Sequence, residues 1–197
     1  NIIAQNQHAS LLHYQYQDRE GGEHLNSLLL DAGADGDGYA SGITRTYIGP
    51  RCYSQEAADL FSELLARMQT HQDALIDRVV PGANYVDLQA AMHQSLAAML
   101  VDTGILKCGP EEAFTKELTV PFCPHGLGHL LGIQVHDVGG QQLDIDGHTQ
   151  SPPEPYASLR LTRPLAQDMV ITVEPGLYFI PMLLAKKQAD GAPIDWS

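Results

Sequence analysis

The 197-residue sequence predicts an α+β fold. Three observations carry that prediction. Short apolar, strand-like runs crowd the N-terminal quarter. Two long stretches with apolar residues at helical spacing follow, between Ser54 and Gly104. From Thr119 onward the chain returns to strands and loops, with β-branched runs broken by Gly and Pro.

The elements follow in order. Asn1 to Ala4, Leu11 to Tyr16 and Ser27 to Asp31 read as strands. A turn rich in Gly and Asp runs through Gly38, and a further short strand reaches Tyr47. Ser54 is the expected N-cap of the first helix. Its apolar positions are Ala57, Leu60, Phe61, Leu64, Leu65, Met68, Leu75, Ile76 and Val79, and Pro81-Gly82 ends it. Asn84 is expected to cap a second helix to Val101, closed by Gly104. Leu88, Met92, Leu96 and Met99 face the core, and these stripes, methionines included, need no cofactor to explain them.

Composition excludes several classes. A net charge of −13 argues against nucleic-acid binding, since phosphate contacts need Lys and Arg. The hydrophobic content of 44% suits a globular chain with one buried core. Cys52, Cys108 and Cys123 form neither a disulfide framework nor a zinc pattern, so a reducing cytoplasm is expected. No signal peptide or membrane span is read. The start at Asn1-Ile2-Ile3-Ala4, without Met, reads as part of a longer polypeptide.

The chemistry concentrates in Pro124-His125-Gly126-Leu127-Gly128-His129, followed by His136-Asp137. Histidine is the commonest metal ligand and the usual near-neutral acid or base. Three buried imidazoles would need three separate partners if they were merely structural. Glycines between them suggest close approach of backbone to a ligand. Two carboxylates end apolar runs on either side: Asp31 after Leu28-Leu29-Leu30, and Glu174 after Val170-Ile171-Thr172-Val173. Asp31, His129 and Glu174 form an oxygen/nitrogen set suited to Mn, Co, Fe or Zn. The lack of a thiolate argues against a closed structural zinc site.

These residues carry a resemblance. The chain resembles the catalytic domain of the pita-bread metallopeptidases, in their Xaa-Pro dipeptidase branch with its organophosphorus acid anhydrolase relatives. The matching segments are Leu11-Leu12-His13-Tyr14, Leu30-Asp31-Ala32-Gly33, Gly38 to Ser41, Ile43 to Thr46, Pro124 to His129, Gln134 to Gly140, Leu159-Arg160 and Thr172 to Phe179. The resemblance implies a curved antiparallel sheet with covering helices, formed by residues 1–197 as a catalytic domain incomplete at its C-terminus. It also implies two divalent ions, Mn first, held by two Asp, one His and two Glu. Asp31 matches the first Asp, serving one ion. His129 and Glu174 match ligands of the other. His125 and His136 match histidines that meet substrate and the tetrahedral intermediate, His13 an active-site histidine, and Arg160 an arginine that meets a substrate carboxylate. A dipeptide with C-terminal proline and a homodimeric full-length form are also implied.

Two departures from the pattern matter. The second Asp of the family falls on Gly42, which has no side chain to offer, and the last Glu lies beyond Ser197. Both are bridging ligands in the family. Weak or single metal occupancy and impaired activity are therefore expected, since two-metal hydrolysis needs both ions about 3.5–4 Å apart. A non-catalytic pita-bread module, acting in binding or assembly, is the alternative. Within the enzymes, a methionine or proline aminopeptidase is the nearer competitor.

Two other patterns fail on spacing. Asp31 to Gly42 lacks the final Glu of a calcium loop. Gly126, Gly128 and Gly132 are mis-spaced for a dinucleotide loop. The acidic run from Gln142 to Glu154 reads as a solvated loop.

Overall fold

The computed structural model describes residues 1–16 and 23–196. β1 (Ile2–Gln5), β2 (Leu25–Ala32) and β5 (Ile43–Arg51) form an antiparallel sheet in the order β1-β2-β5. The register places Asp31 opposite Ile2 on one side and Thr44 on the other. Between β2 and β5, β3 (Asp35–Gly36) and β4 (Tyr39–Ala40) make a tight hairpin. Its two turn residues, Asp37 and Gly38, have φ of 52° and 86°. An Asp-Gly pair suits such a turn because both central residues are left-handed.

Two helices follow as expected. α1 (Gln55–Ile76) is capped by Ser54, whose hydroxyl accepts from the Ala57 N–H at 3.1 Å. α2 (Tyr85–Asp102) is capped by Asn84, whose side chain accepts from the Val86 N–H at 2.9 Å. The two helices are buried unequally. α2 lies in the centre of the core, with Leu88, Met92, Leu96 and Met99 all covered. In α1 only Leu64 and Leu75 of the expected stripe are fully buried, and Leu60 and Ile76 remain exposed.

The structure corrects three expectations. Leu11 to Tyr16 is not a strand. After the 3₁₀ turn Asn6–Ser10 the chain bends again, with Leu11 N–H donating to the His8 carbonyl and Tyr14 N–H to the Leu11 carbonyl. Those local bonds, and the His8–Tyr14 ring stack at 4.7 Å, replace strand pairing. Second, two further helices appear, α3 (Pro110–Thr115) and α4 (Pro181–Ala189). Each opens on a proline in its first turn, a position whose missing N–H costs a helix nothing. Third, the region after Thr119 contains paired extended segments rather than full strands, with an isolated bridge at Leu130–Ile171.

The core holds two buried histidines on the helices. His71 on α1 and His93 on α2 are 7% and 2% exposed. Burial pulls both down to about 4, helped at His93 by the neighbouring His125 and His71. Both are neutral in the folded chain above that value, while the unfolded chain takes up protons below pH 6.5. Stability is therefore fully present above pH 6.5 and falls as pH drops toward 4, by at most on the order of 3 kcal/mol per histidine. Urea midpoints measured at pH 7.5 and 4.5 will show this loss, and His71→Leu will reduce it.

Candidate metal centre

Two extended segments build the site. Glu174 N–H donates to the Leu127 carbonyl at 2.7 Å, Thr172 N–H to the His129 carbonyl at 3.0 Å, and Leu131 N–H to the Val170 carbonyl at 3.0 Å. The segments thus run antiparallel, with His129 opposite Thr172 and diagonal to Glu174. Diagonal neighbours on one face are within reach of long side chains. Accordingly, His129 Nε2 lies 2.9 Å from Glu174 Oε1.

That contact identifies what the pair wants. His129 Nδ1 sits 2.7 Å from the Leu130 carbonyl, which can only accept, so Nδ1 carries the proton. Neutral His129 then presents a lone pair on Nε2 to a carboxylate oxygen. Two acceptors face one another, and a cation, either a proton or a metal ion, must stand between them. A metal suits the spacing, because two ligands about 2.1 Å from one ion at right angles lie about 3 Å apart. Glu174 supplies the charge. Burial raises its carboxyl, but the cation on its His129 side, a proton on Nε2 in the metal-free chain, and the Thr172 hydroxyl outweigh that and hold it below the usual range.

Of the other expected residues, His136 touches this pair directly. The His136 ring meets His129 edge to face, with centroids 4.5 Å apart. His136 is lowered by partial burial and by the charges of His129 and Arg160. His13 also acts on His136 through its charge. His125 Nδ1 donates to the Gly126 carbonyl at 2.9 Å, leaving Nε2 to accept from the Tyr178 hydroxyl at 3.2 Å. Asp31 stands apart. It does not join His129 and Glu174 within reach of one shared ion, although its charge acts on Tyr178. Among the described residues the one group of three close enough to share an ion is Asp144, Asp146 and His148. It lies exposed on the acidic loop, where Asp144 accepts from the His148 ring at 2.6 Å.

Gly42 directly precedes β5, whose first residue, Ile43, pairs with Ala32. A Cβ there would meet only Val135 Cγ1, at 3.9 Å, beside His136. A Cβ at position 42 therefore meets no clash.

Several positioning residues were not legible beforehand. Tyr85 donates to the Thr172 carbonyl at 2.6 Å, Gln72 to the Val173 carbonyl at 2.9 Å, and Gln89 accepts from the Leu127 N–H at 2.5 Å. The only advance signal was polar residues one turn apart, Gln89 and His93, inside an otherwise apolar helix. The glycines of the motif serve packing rather than a ligand. A Cβ on Gly126 would press on the Leu159 backbone, and one on Gly128 would overlap the Thr172 carbonyl and the Tyr85 hydroxyl. Gly128→Ala will therefore destabilise the protein by about 2–3 kcal/mol, read from chemical denaturation.

Metallopeptidase family M24 matches the chain over residues 1–195. The chain belongs to that family. A Sodalis glossinidius Xaa-Pro dipeptidase is 46% identical over 200 residues, covering all of this chain and 44% of the relative. An Actinobacillus pleuropneumoniae Xaa-Pro dipeptidase is 44% identical over 93% of this chain and 40% of its own length. The M24 chain thus spans less than half the length of these curated relatives. Among solved structures, Pseudomonas aeruginosa aminopeptidase PepP superposes with a TM-score of 0.72 at 30% identity, over 94% of this chain and 38% of that one. A zinc-substituted Escherichia coli aminopeptidase P in complex with product gives 0.66 at 29% identity, over 90% and 36%. The architecture is the pita-bread fold of these aminopeptidases. No helix among the described residues is long and apolar enough to cross a membrane.

Proposed function

We propose that this M24 chain forms the metal-binding half-site of an Xaa-Pro dipeptidase, and that it holds a single divalent ion, Mn²⁺ in the first instance, between His129 and Glu174. The observation that carries the reading is the pair of facing acceptors at 2.9 Å. Such an ion supplies Lewis acidity and an acidified water near neutral pH. Glu174, kept ionised, is the base that accepts a proton and returns it to the leaving proline nitrogen. His136, exposed and beside His129, is placed to donate to the developing oxyanion, and His125 supports the same face. Arg160, also exposed, offers a fork to the terminal carboxylate of a dipeptide. His13, whose charge acts on His136, is the further histidine of this site. The three free cysteines agree with a reducing, cytoplasmic setting, and a homodimer is the expected assembly of the full-length form.

The test is proline release from Xaa-Pro dipeptides by the full-length protein, with Mn²⁺ and after chelation. Metal-dependent release is expected, with Arg160→Ala raising KM by about tenfold or more and changing kcat less. Release that survives chelation, or none across a panel of dipeptides, contradicts the reading. Gly42 favours a second reading, a non-catalytic pita-bread module, which a substitution at that position separates from the first.

A further inference from the structure

The polar pair inside α2 has a definite proton order. Gln89 Oε1 accepts from the Leu127 N–H at 2.5 Å, so the amide nitrogen of Gln89 must be the group 3.1 Å from His93 Nε2. It donates there. His93 Nε2 therefore carries a lone pair, and Nδ1 carries the proton, which it donates to Thr119 Oγ1 at 2.9 Å. Gln89 is 1% exposed, His93 2% and Thr119 1%. Every polar atom along this line has its partner, and reversing any member would leave two donors or two acceptors facing in a dry core.

We propose that Gln89 and His93 are positioning residues for the metal centre. They anchor the backbone of Leu127, between His125 and His129, to the central helix of the core. Leu127 sits at the point where the segment pairs with Glu174, through the Glu174 N–H to the Leu127 carbonyl. Both faces of one peptide residue are thereby held, one by Gln89 and one by the Glu174 strand. His93 also stacks on Tyr156, with centroids 5.1 Å apart and planes 6° from parallel. The Tyr156 carbonyl accepts from the Leu159 N–H, and Leu159 packs against Gly126 and precedes Arg160. One buried pair thus orients the histidine loop and the segment carrying Arg160. Nothing in a simple packing role requires this. A leucine at position 89 would fill the same space with less desolvation.

This inference deepens the proposed function and takes its metal readout from it. The experiment compares Gln89→Leu, Gln89→Glu and the parent, in the full-length protein. Mn²⁺ affinity is measured by calorimetry, and hydrogen exchange is followed at the Leu127 amide. Glutamate keeps an acceptor for Leu127 and, with the His93 ring in its other tautomer and the Thr119 hydroxyl donating to Nδ1, also accepts from Nε2, whereas leucine does neither. Positioning predicts Mn²⁺ binding weakened about tenfold or more in Gln89→Leu and within about threefold of the parent in Gln89→Glu. The Leu127 amide is expected to be protected in the parent and in Gln89→Glu, and released in Gln89→Leu. A packing role reverses the order, with leucine tolerated and glutamate not. That reversal, or an unprotected Leu127 amide in the parent, overturns the inference. If Gln89→Leu does not fold, the parent amide and the Gln89→Glu affinity still decide. His129→Ala serves as the metal control. If it binds Mn²⁺ like the parent, the proposed function fails, while the amide exchange still judges the positioning of Leu127.

Discussion

Replacing His129 with alanine will weaken Mn²⁺ binding by at least about 100-fold and remove Xaa-Pro hydrolysis with it, because it removes the nitrogen that lies 2.9 Å from Glu174. The ring is held from both ends. Its Nδ1 proton is taken by the Leu130 carbonyl, and its backbone N–H by Thr172 Oγ1 at 3.0 Å. His129 is 6% exposed, so removal also leaves a cavity worth about 2 kcal/mol. Glu174→Gln separates the two effects. Its amide can donate directly to His129 Nε2, so the metal-free protein keeps the contact and its stability, while the charge that holds the cation is gone. In the parent, Mn²⁺ at 100 times its Kd will stabilise the fold by about 2.7 kcal/mol. In Glu174→Gln, Mn²⁺ will leave the melting temperature unchanged. Thermal unfolding with and without Mn²⁺ checks both statements.

Gly42→Asp will act in the opposite direction. Position 42 directly precedes β5, and an added Cβ would meet one heavy atom within 4 Å, Val135 Cγ1 at 3.9 Å, next to His136 in the chain. That is ordinary van der Waals contact, so the added Cβ meets no clash. The carboxylate would add a charged oxygen ligand at the position where the resemblance implies a bridging Asp. Mn²⁺-dependent cleavage of Xaa-Pro dipeptides by the full-length protein is expected to rise at least about tenfold. If cleavage does not rise, glycine at this position is not what limits the site, and the account of an impaired centre is wrong.

The sequence was informative where one local signal carried the outcome. Ser54 and Asn84 declared their helices through side chains that can accept from the first turn. The α2 stripe declared itself because that helix is buried nearly all round. His129 and Glu174 could be singled out by type and surroundings, but their 2.9 Å contact depends on the register between segments more than forty residues apart. Such a register is set by long-range pairing, and no local pattern encodes it. Leu11 to Tyr16 misled because two adjacent leucines and tyrosines mimic a strand, whereas consecutive turns satisfy that backbone locally. α4 was hidden because its apolar residues contact only part of the core, so its periodicity is weak, and the proline at its start reads equally as a loop. Gln89 and His93 left one faint signal, two polar residues a turn apart in an apolar helix, and their partners Leu127 and Thr119 lie too far along the chain for spacing to reveal them.

The most direct measurement is the number of Mn²⁺ ions bound per chain of the full-length protein, by native mass spectrometry at stoichiometric metal, for the parent and for Gly42→Asp. The account predicts one ion in the parent, lost in His129→Ala, and two in Gly42→Asp. Two tightly held ions in the parent would contradict it.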